Sequence, residues 1–163
     1  MKLFLSMLIF AFVLSAQTKN LSKAPDFELD DINGNTYELS DFLGEGPVLI
    51  SFWATWCKPC MEDMPHYNAI FEKYQKRNLK MIAISEDTER SLAKVVPYIR
   101  SHDYKFTVLL DPENEAARDY YVQVVPHTII LNKKGEIVYS HSGYKKGDEI
   151  EVENIIKKLL DAK

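Results

Sequence analysis

Cys57 and Cys60 are the only cysteines of this 163-residue chain, and they stand in C-x-x-C spacing within SFWATWCKPCMEDMP, residues 51–65. Two intervening residues let both sulfurs sit at one end of a helix, close enough to bond. The apolar run before them ends in Trp53, Trp56 precedes the first cysteine, and Pro59 lies between the two. The pattern reads as strand, tight turn and helix, with both cysteines where the helix begins. The unsatisfied N–H groups and partial positive charge of a helix N-terminus stabilise a thiolate on the first cysteine. A thiolate at neutral pH is the species that thiol–disulfide exchange requires. The same spacing also serves as half of a zinc site or as a structural bridge. Zinc would need two more ligands, and only histidines remain to supply them. Pro59 at an early helical position, with a strand just before, favours the redox turn. Met61 follows Cys60, so covalent haem attachment through C-x-x-C-H is excluded.

Positioning such a turn requires a rigid strand before it and a long helix after it. Residues 48–53 carry six uncharged, mostly apolar side chains, the pattern of a strand buried on both faces. After Cys60, Met64, Tyr67, Phe71 and Tyr74 recur at intervals of three or four, giving a helix with one buried face. Pro65 falls inside that helix and is expected to kink it. Upstream, FELDD, Asn33-Gly34 and TYEL read as a β-hairpin. Ser40 is a candidate cap for a short turn, and residues 44–47 (Gly-Glu-Gly-Pro) break the chain before the central strand. Downstream, residues 79–85 read as a second buried strand. A helix follows to about residue 101, bent or ended in part by Pro97. Residues 106–110 form a strand and 113–121 a short helix. Residues 128–131 and 136–140 form a hairpin, and a last helix capped by Asp148 presents Val152, Ile155, Ile156, Leu159 and Leu160. One compact α/β domain results.

The net charge of −4, from 20 basic and 24 acidic residues, offers no basic face for nucleic acid. Two cysteines are too few for the disulfide framework of a small secreted domain. Residues 1–16 read as a secretory signal peptide: Lys2, an apolar run over 3–14 broken only by Ser6, then Ser15 and Ala16. An uncleaved N-terminal anchor is the alternative. Residues 17–23 form a short polar lead, where Asn20-Leu21-Ser22 meets the weak glycosylation pattern by chance. Residues 24–163 form the domain, and either reading places it outside the cytosol.

The FWATWCKPC stretch resembles the thioredoxin superfamily. The continuation through Asp63, Met64 and Pro65, with the APDF opening and the hairpin, resembles its extracytoplasmic TlpA/ResA-type thiol–disulfide oxidoreductases. The resemblance covers residues 24–162 and implies a thioredoxin-like fold: a central mixed sheet flanked by helices, an N-terminal β-hairpin and an inserted strand–helix unit over residues 79–100. It also implies that Cys57 is the exposed nucleophile and Cys60 the resolving thiol, that Trp56 and Pro59 shape the turn, and that Val125-Pro126 is a cis peptide facing the disulfide. Cytochrome c maturation is among the reductive tasks of this branch. The branch usually carries glutamate where this chain has Asp63. A buried carboxylate there would have a raised pKa and would exchange protons with Cys60. The plainer reading of Asp63 is a charge on the helix surface, and Glu62 is the weaker candidate for the same task. Ser51 stands where cytoplasmic-type thioredoxins carry a buried aspartate, so a proton-handling group is not expected on that strand.

Lys58 either steadies the Cys57 thiolate or is simply solvated. His66, His102 and His141 read as surface or packing residues. His127 carries an alternative, a metal-binding or delivery site made with Cys57 and Cys60, since thiolates and imidazole suit Cu(I) or zinc. A thiol oxidant, a thiol peroxidase and an inert disulfide are further alternatives. The expected partners are client proteins with disulfides or thiols and a membrane electron-donor relay. No cofactor is required, because the dithiol itself carries the electrons.

Overall fold

The computed structural model describes residues 21–162; the expected signal peptide, Asn20 and most of the polar lead lie outside them. Five strands form one mixed sheet in the order β5-β4-β3-β6-β7. They are β3 (Val48–Trp53), β4 (Lys80–Ser85), β5 (Thr107–Leu110), β6 (His127–Leu131) and β7 (Ile137–Ser142). β3 runs parallel to β4 and antiparallel to β6, so it is the middle strand, and every residue in it is buried. That position explains the uncharged, mostly apolar pattern, since both pleat faces meet helices or loops.

β1 (Glu28–Asp30) and β2 (Thr36–Glu38) form the N-terminal hairpin. The strands are shorter than the sequence pattern implies, and the Asn-Gly pair does not make a two-residue turn. Instead the Asp31 carboxylate accepts the backbone N–H groups of Asn33 at 2.7 Å and Asn35 at 2.9 Å and closes a longer loop. Burial pushes the Asp31 carboxyl up, but the hydrogen bonds from Asn35 and Asn33 outweigh it and hold the pKa below its ordinary value. The hairpin docks on the edge of β5 through Ile32 N–H to Val108 C=O, 3.2 Å.

Helices cover both faces. On one, α1 (Lys58–Tyr74), α2 (Val95–Ser101) and α4 (Asp148–Asp161) pack together. Tyr67 of α1 hydrogen-bonds Thr128 of β6 at 2.8 Å, and Tyr98 of α2 lies against Trp53 of β3. Tyr74 donates to Glu153 of α4 at 2.9 Å. On the other face, Tyr120, just after α3 (Glu115–Asp119), packs on Phe52 and Phe27 and donates its hydroxyl to the Pro25 carbonyl at 2.7 Å.

Several local expectations change. α1 begins at Lys58, with both cysteines at its start as expected, and continues through Pro65, whose ring faces solvent. Its buried face is Cys60, Asp63, Met64, Tyr67, Ile70 and Tyr74, and Phe71 sits only half-buried beside it. α2 starts at Val95, so Pro97 stands in its first turn, where no backbone donor is needed, and does not end it. Asp148 is the first residue of α4 rather than its cap; its carboxylate accepts the Lys145 N–H at 2.7 Å and closes the preceding turn. Ser40 lies inside the short 3-10 turn Leu39–Phe42, whose start is tied by Asp41 accepting the Glu38 N–H at 2.9 Å. Gly46 does more than break the chain, because a Cβ there would come within 2.2 Å of the Asn78 carbonyl oxygen.

Candidate active site: the Cys57–Cys60 turn

β3 delivers the chain to the C-terminal edge of the sheet, and α1 carries it back. Between them, the Cys57 N–H donates to the Ala54 carbonyl at 3.1 Å and closes a single turn. Cys57 is the N-cap of α1, with extended backbone, and Pro59 occupies the first helical turn, where its missing N–H costs nothing. The Cys57 sulfur accepts the backbone N–H of Cys60 at 3.2 Å. A cysteine therefore does what serine or aspartate does at other helix starts, with its sulfur aimed at the unsatisfied donors. The two cysteines form a disulfide with Cα atoms 5.3 Å apart.

The flanking residues differ in exposure. Trp56 is 63% exposed beside a Cys57 that keeps 5% of its surface, while Cys60 keeps none. Lys58 and Pro59 are exposed, and Lys58 forms no ion pair among the described residues. The Val125–Pro126 bond is cis. Phe52 of β3 pairs with His127 of β6, so Pro126 leads into β6 level with the point where β3 runs out into the turn. The Pro126 carbonyl is taken by the Gly143 N–H at 2.7 Å, whereas the backbone of Val125 forms no hydrogen bond among the described residues.

Asp63 lies one helical turn beyond Cys60 and is wholly buried, so it is no surface charge. Neither carboxylate oxygen has a hydrogen-bond partner among the described residues, and burial pushes its pKa up to about 8. That places it beside the ordinary range of a thiol. Tyr67, the next turn along, is raised in turn by burial and by the Asp63 charge. The Ser51 hydroxyl and the Trp53 indole N–H are also buried without partners among the described residues, and the strand's alternation puts both side chains on one face of β3. Glu62 is exposed and plays no part in this cluster.

His127 does not complete a metal site. Its Nδ1 lies 2.7 Å from the Ser142 hydroxyl and its Nε2 3.1 Å from that of Ser140, so both ring nitrogens are engaged by β7. Burial, followed by the charge of His141, lowers its pKa. His66 stacks on Tyr144, His102 on Tyr104, and His141 lies 3.5 Å from Asp148.

Two acidic residues after β4 carry more than the sequence pattern indicates. Asp87 is fully buried and accepts the backbone N–H of Thr55 at 2.7 Å and its hydroxyl at 2.6 Å. Glu86 is half-buried, with its pKa pushed up to about 7 by burial and by Asp111. The available signal was positional, because residues just past two adjacent parallel strands emerge side by side.

Comparison with known proteins agrees with this geometry. A model of the AhpC/TSA family matches residues 21–140. The thiol–disulfide oxidoreductase ResA of Bacillus thuringiensis is 34% identical over 129 residues, covering 79% of this chain and 73% of the relative. The chain belongs to the ResA-type thiol–disulfide oxidoreductases of the thioredoxin superfamily. Within the ResA type and its structural neighbours, a Chlorobium tepidum protein provisionally named as the thiol:disulfide interchange protein DsbE superposes with a TM-score of 0.79. It is 28% identical and covers 86% of this chain and 96% of that one. The exposed lipoprotein thioredoxin of Streptococcus pneumoniae superposes with a TM-score of 0.68 at 29% identity, covering 82% of this chain and 99% of its own. As a ResA-type protein, the chain is an enzyme of thiol–disulfide exchange that works through its cysteine pair.

Proposed function

We propose that this oxidoreductase is exported and works as a reductant of protein disulfides outside the cytosol, recharged by a membrane electron-donor relay. The observation that carries the exchange chemistry is the Cys57 sulfur at the N-terminus of α1, accepting the Cys60 N–H at 3.2 Å. The reductive direction rests on the likeness to ResA-type proteins and on a Lys58-Pro59 turn without the histidine of strongly oxidising relatives. In the reduced protein the Cys57 thiolate attacks one sulfur of a client disulfide. A mixed disulfide forms, and the first client thiolate leaves and takes a proton. In the fraction of molecules whose Asp63 is ionised, which grows as pH approaches about 8, the Cys60 thiol gives its proton to that carboxylate and attacks the Cys57 sulfur. The Cys57–Cys60 bond closes and the second client thiolate leaves. Two electrons pass to the client, and the relay must return two to reopen the bond. The bare backbone of Val125 and the exposed indole of Trp56 suit an extended client segment lying across the turn. Export rests on the apolar run over residues 3–14; among the described residues no helix is long and apolar enough to cross a membrane.

Equilibration of the Cys57–Cys60 pair with glutathione tests the direction of flow. The expected potential lies toward the reducing end of the thioredoxin-like range. A value near −120 mV, the strong-oxidant end, overturns the reductive reading.

A further inference from the structure

The turn that presents Cys57 is held by covalent geometry at only one end. Towards the helix it has the disulfide and the Cys60 N–H; towards the sheet it has residues 54–56 and whatever grips them. The grip comes from a neighbouring strand. β3 and β4 run parallel with Trp53 opposite Ser85, so the chain leaves both strands at the same level. Two residues beyond that pair stand Thr55 on one side and Asp87 on the other.

Asp87 faces Thr55 with both oxygens. Oδ2 accepts the Thr55 N–H at 2.7 Å and Oδ1 accepts the Thr55 hydroxyl at 2.6 Å. The Ser85 hydroxyl donates to Oδ2 at 3.0 Å and accepts the Asp87 N–H at 3.2 Å. The Glu86 N–H meanwhile takes the Trp53 carbonyl at 2.8 Å. The carboxylate is wholly buried, and its burial is tolerable only because three donors converge on it.

We propose that Asp87 is a positioning residue for thiol–disulfide exchange, clamping Thr55 so that the Cys57 thiolate stays on the N-terminus of α1 once the disulfide opens. The clamp acts unequally on the two redox forms. In the oxidised form the Cys57–Cys60 bond already fixes the Cys57 sulfur. In the reduced form that bond is gone, and the sulfur is kept at the helix start by the Ala54–Cys57 turn and the Asp87–Thr55 clamp behind it. Loosening the clamp withdraws stabilisation from the reduced thiolate and leaves the disulfide form nearly unaffected. The pair then becomes easier to oxidise and Cys57 becomes a weaker nucleophile. Replacing Asp87 itself would also delete a negative charge near the thiolate, an opposing effect, so Thr55 is the cleaner handle.

The test uses Thr55→Val, which removes one clamp donor at nearly constant shape, and Thr55→Ser, which keeps it. The expected result for Thr55→Val is a shift of the equilibrium with glutathione toward the protein disulfide, on the order of threefold to tenfold, because the bond is lost from both forms but only the reduced form depends on it to hold the Cys57 sulfur. Alkylation of Cys57 by iodoacetamide at pH 7 slows by a similar factor, and Thr55→Ser behaves as wild type in both measurements. An unchanged equilibrium and alkylation rate in Thr55→Val, whether or not its melting temperature falls, makes Asp87 a strut of the fold only and overturns the proposal. The proposal rests on Cys57 and Cys60 being the exchanging pair. A wild-type protein that fails to equilibrate with glutathione at all refutes that reading instead, and the two failures are told apart by the wild-type control.

Discussion

Asp63 stands one turn beyond Cys60 on the buried face of α1, and both residues are closed to solvent. A carboxyl without a hydrogen-bond partner among the described residues, one turn from a thiol that must lose its proton, gives the pair a shared pH dependence.

Asp63 holds its proton up to about pH 8 in the folded chain, against 3.8 for the ordinary group. Between these values the native state binds the proton and the unfolded state does not, so stability falls as pH rises, by up to ~1.4 kcal/mol per unit. Asp63→Asn is therefore more stable than wild type at pH 7 to 8, and the two converge below about pH 4. Urea unfolding of both proteins at a series of pH values checks this; parallel curves would refute it. The same variant exchanges disulfides more slowly, because Cys60 has lost its proton acceptor.

Cys57 retains 5% of its surface and Cys60 none, so Cys57 is expected to make the first attack on a client. Cys60→Ser should accumulate mixed disulfides with client proteins, and Cys57→Ser should not. Non-reducing electrophoresis of the two variants recovered from the envelope reads the difference, and equal trapping would remove the asymmetry.

His127 is held neutral by burial, with hydroxyls on both ring nitrogens. Its lowered pKa means that the unfolded chain takes up a proton below 6.5 while the folded chain resists. Stability contributed by the neutral ring is thus complete above pH 6.5 and drains away as pH falls below it. Against His127→Gln, the wild type loses ground between pH 6.5 and 5; denaturation midpoints that keep a constant offset over that interval would contradict it.

Gly46 approaches the Asn78 backbone too closely for any side chain. Gly46→Ala should cost about 1–3 kcal/mol, since the obstacle is a carbonyl in the main chain rather than a flexible side chain. Thermal unfolding measures it, and a loss below about 0.5 kcal/mol, the usual range for a surface substitution, would show that the segment yields.

The export reading is checked by the mass of the mature protein from its native host. A start near Gln17 is expected, and a cytosolic chain beginning at Met1 rules it out.

The sequence by itself determined the chemistry and the class of fold. A C-x-x-C pair between a mostly apolar strand and an amphipathic helix leaves few arrangements, because spacing and periodicity are local properties of the chain. The central strand, the long helix and the mixed α/β order follow from the same local patterns. Tertiary structure decided what depends on neighbours from elsewhere in the chain. Asp63 reads equally well as surface or buried charge in the sequence; packing of α1 on the sheet removes its water and so raises its pKa. His127 has a free ligand's look until β7 sets Ser142 and Ser140 against its nitrogens. Asp87 lies 32 residues from Thr55, and only the parallel register of β3 and β4 brings its carboxylate under the turn that carries Cys57.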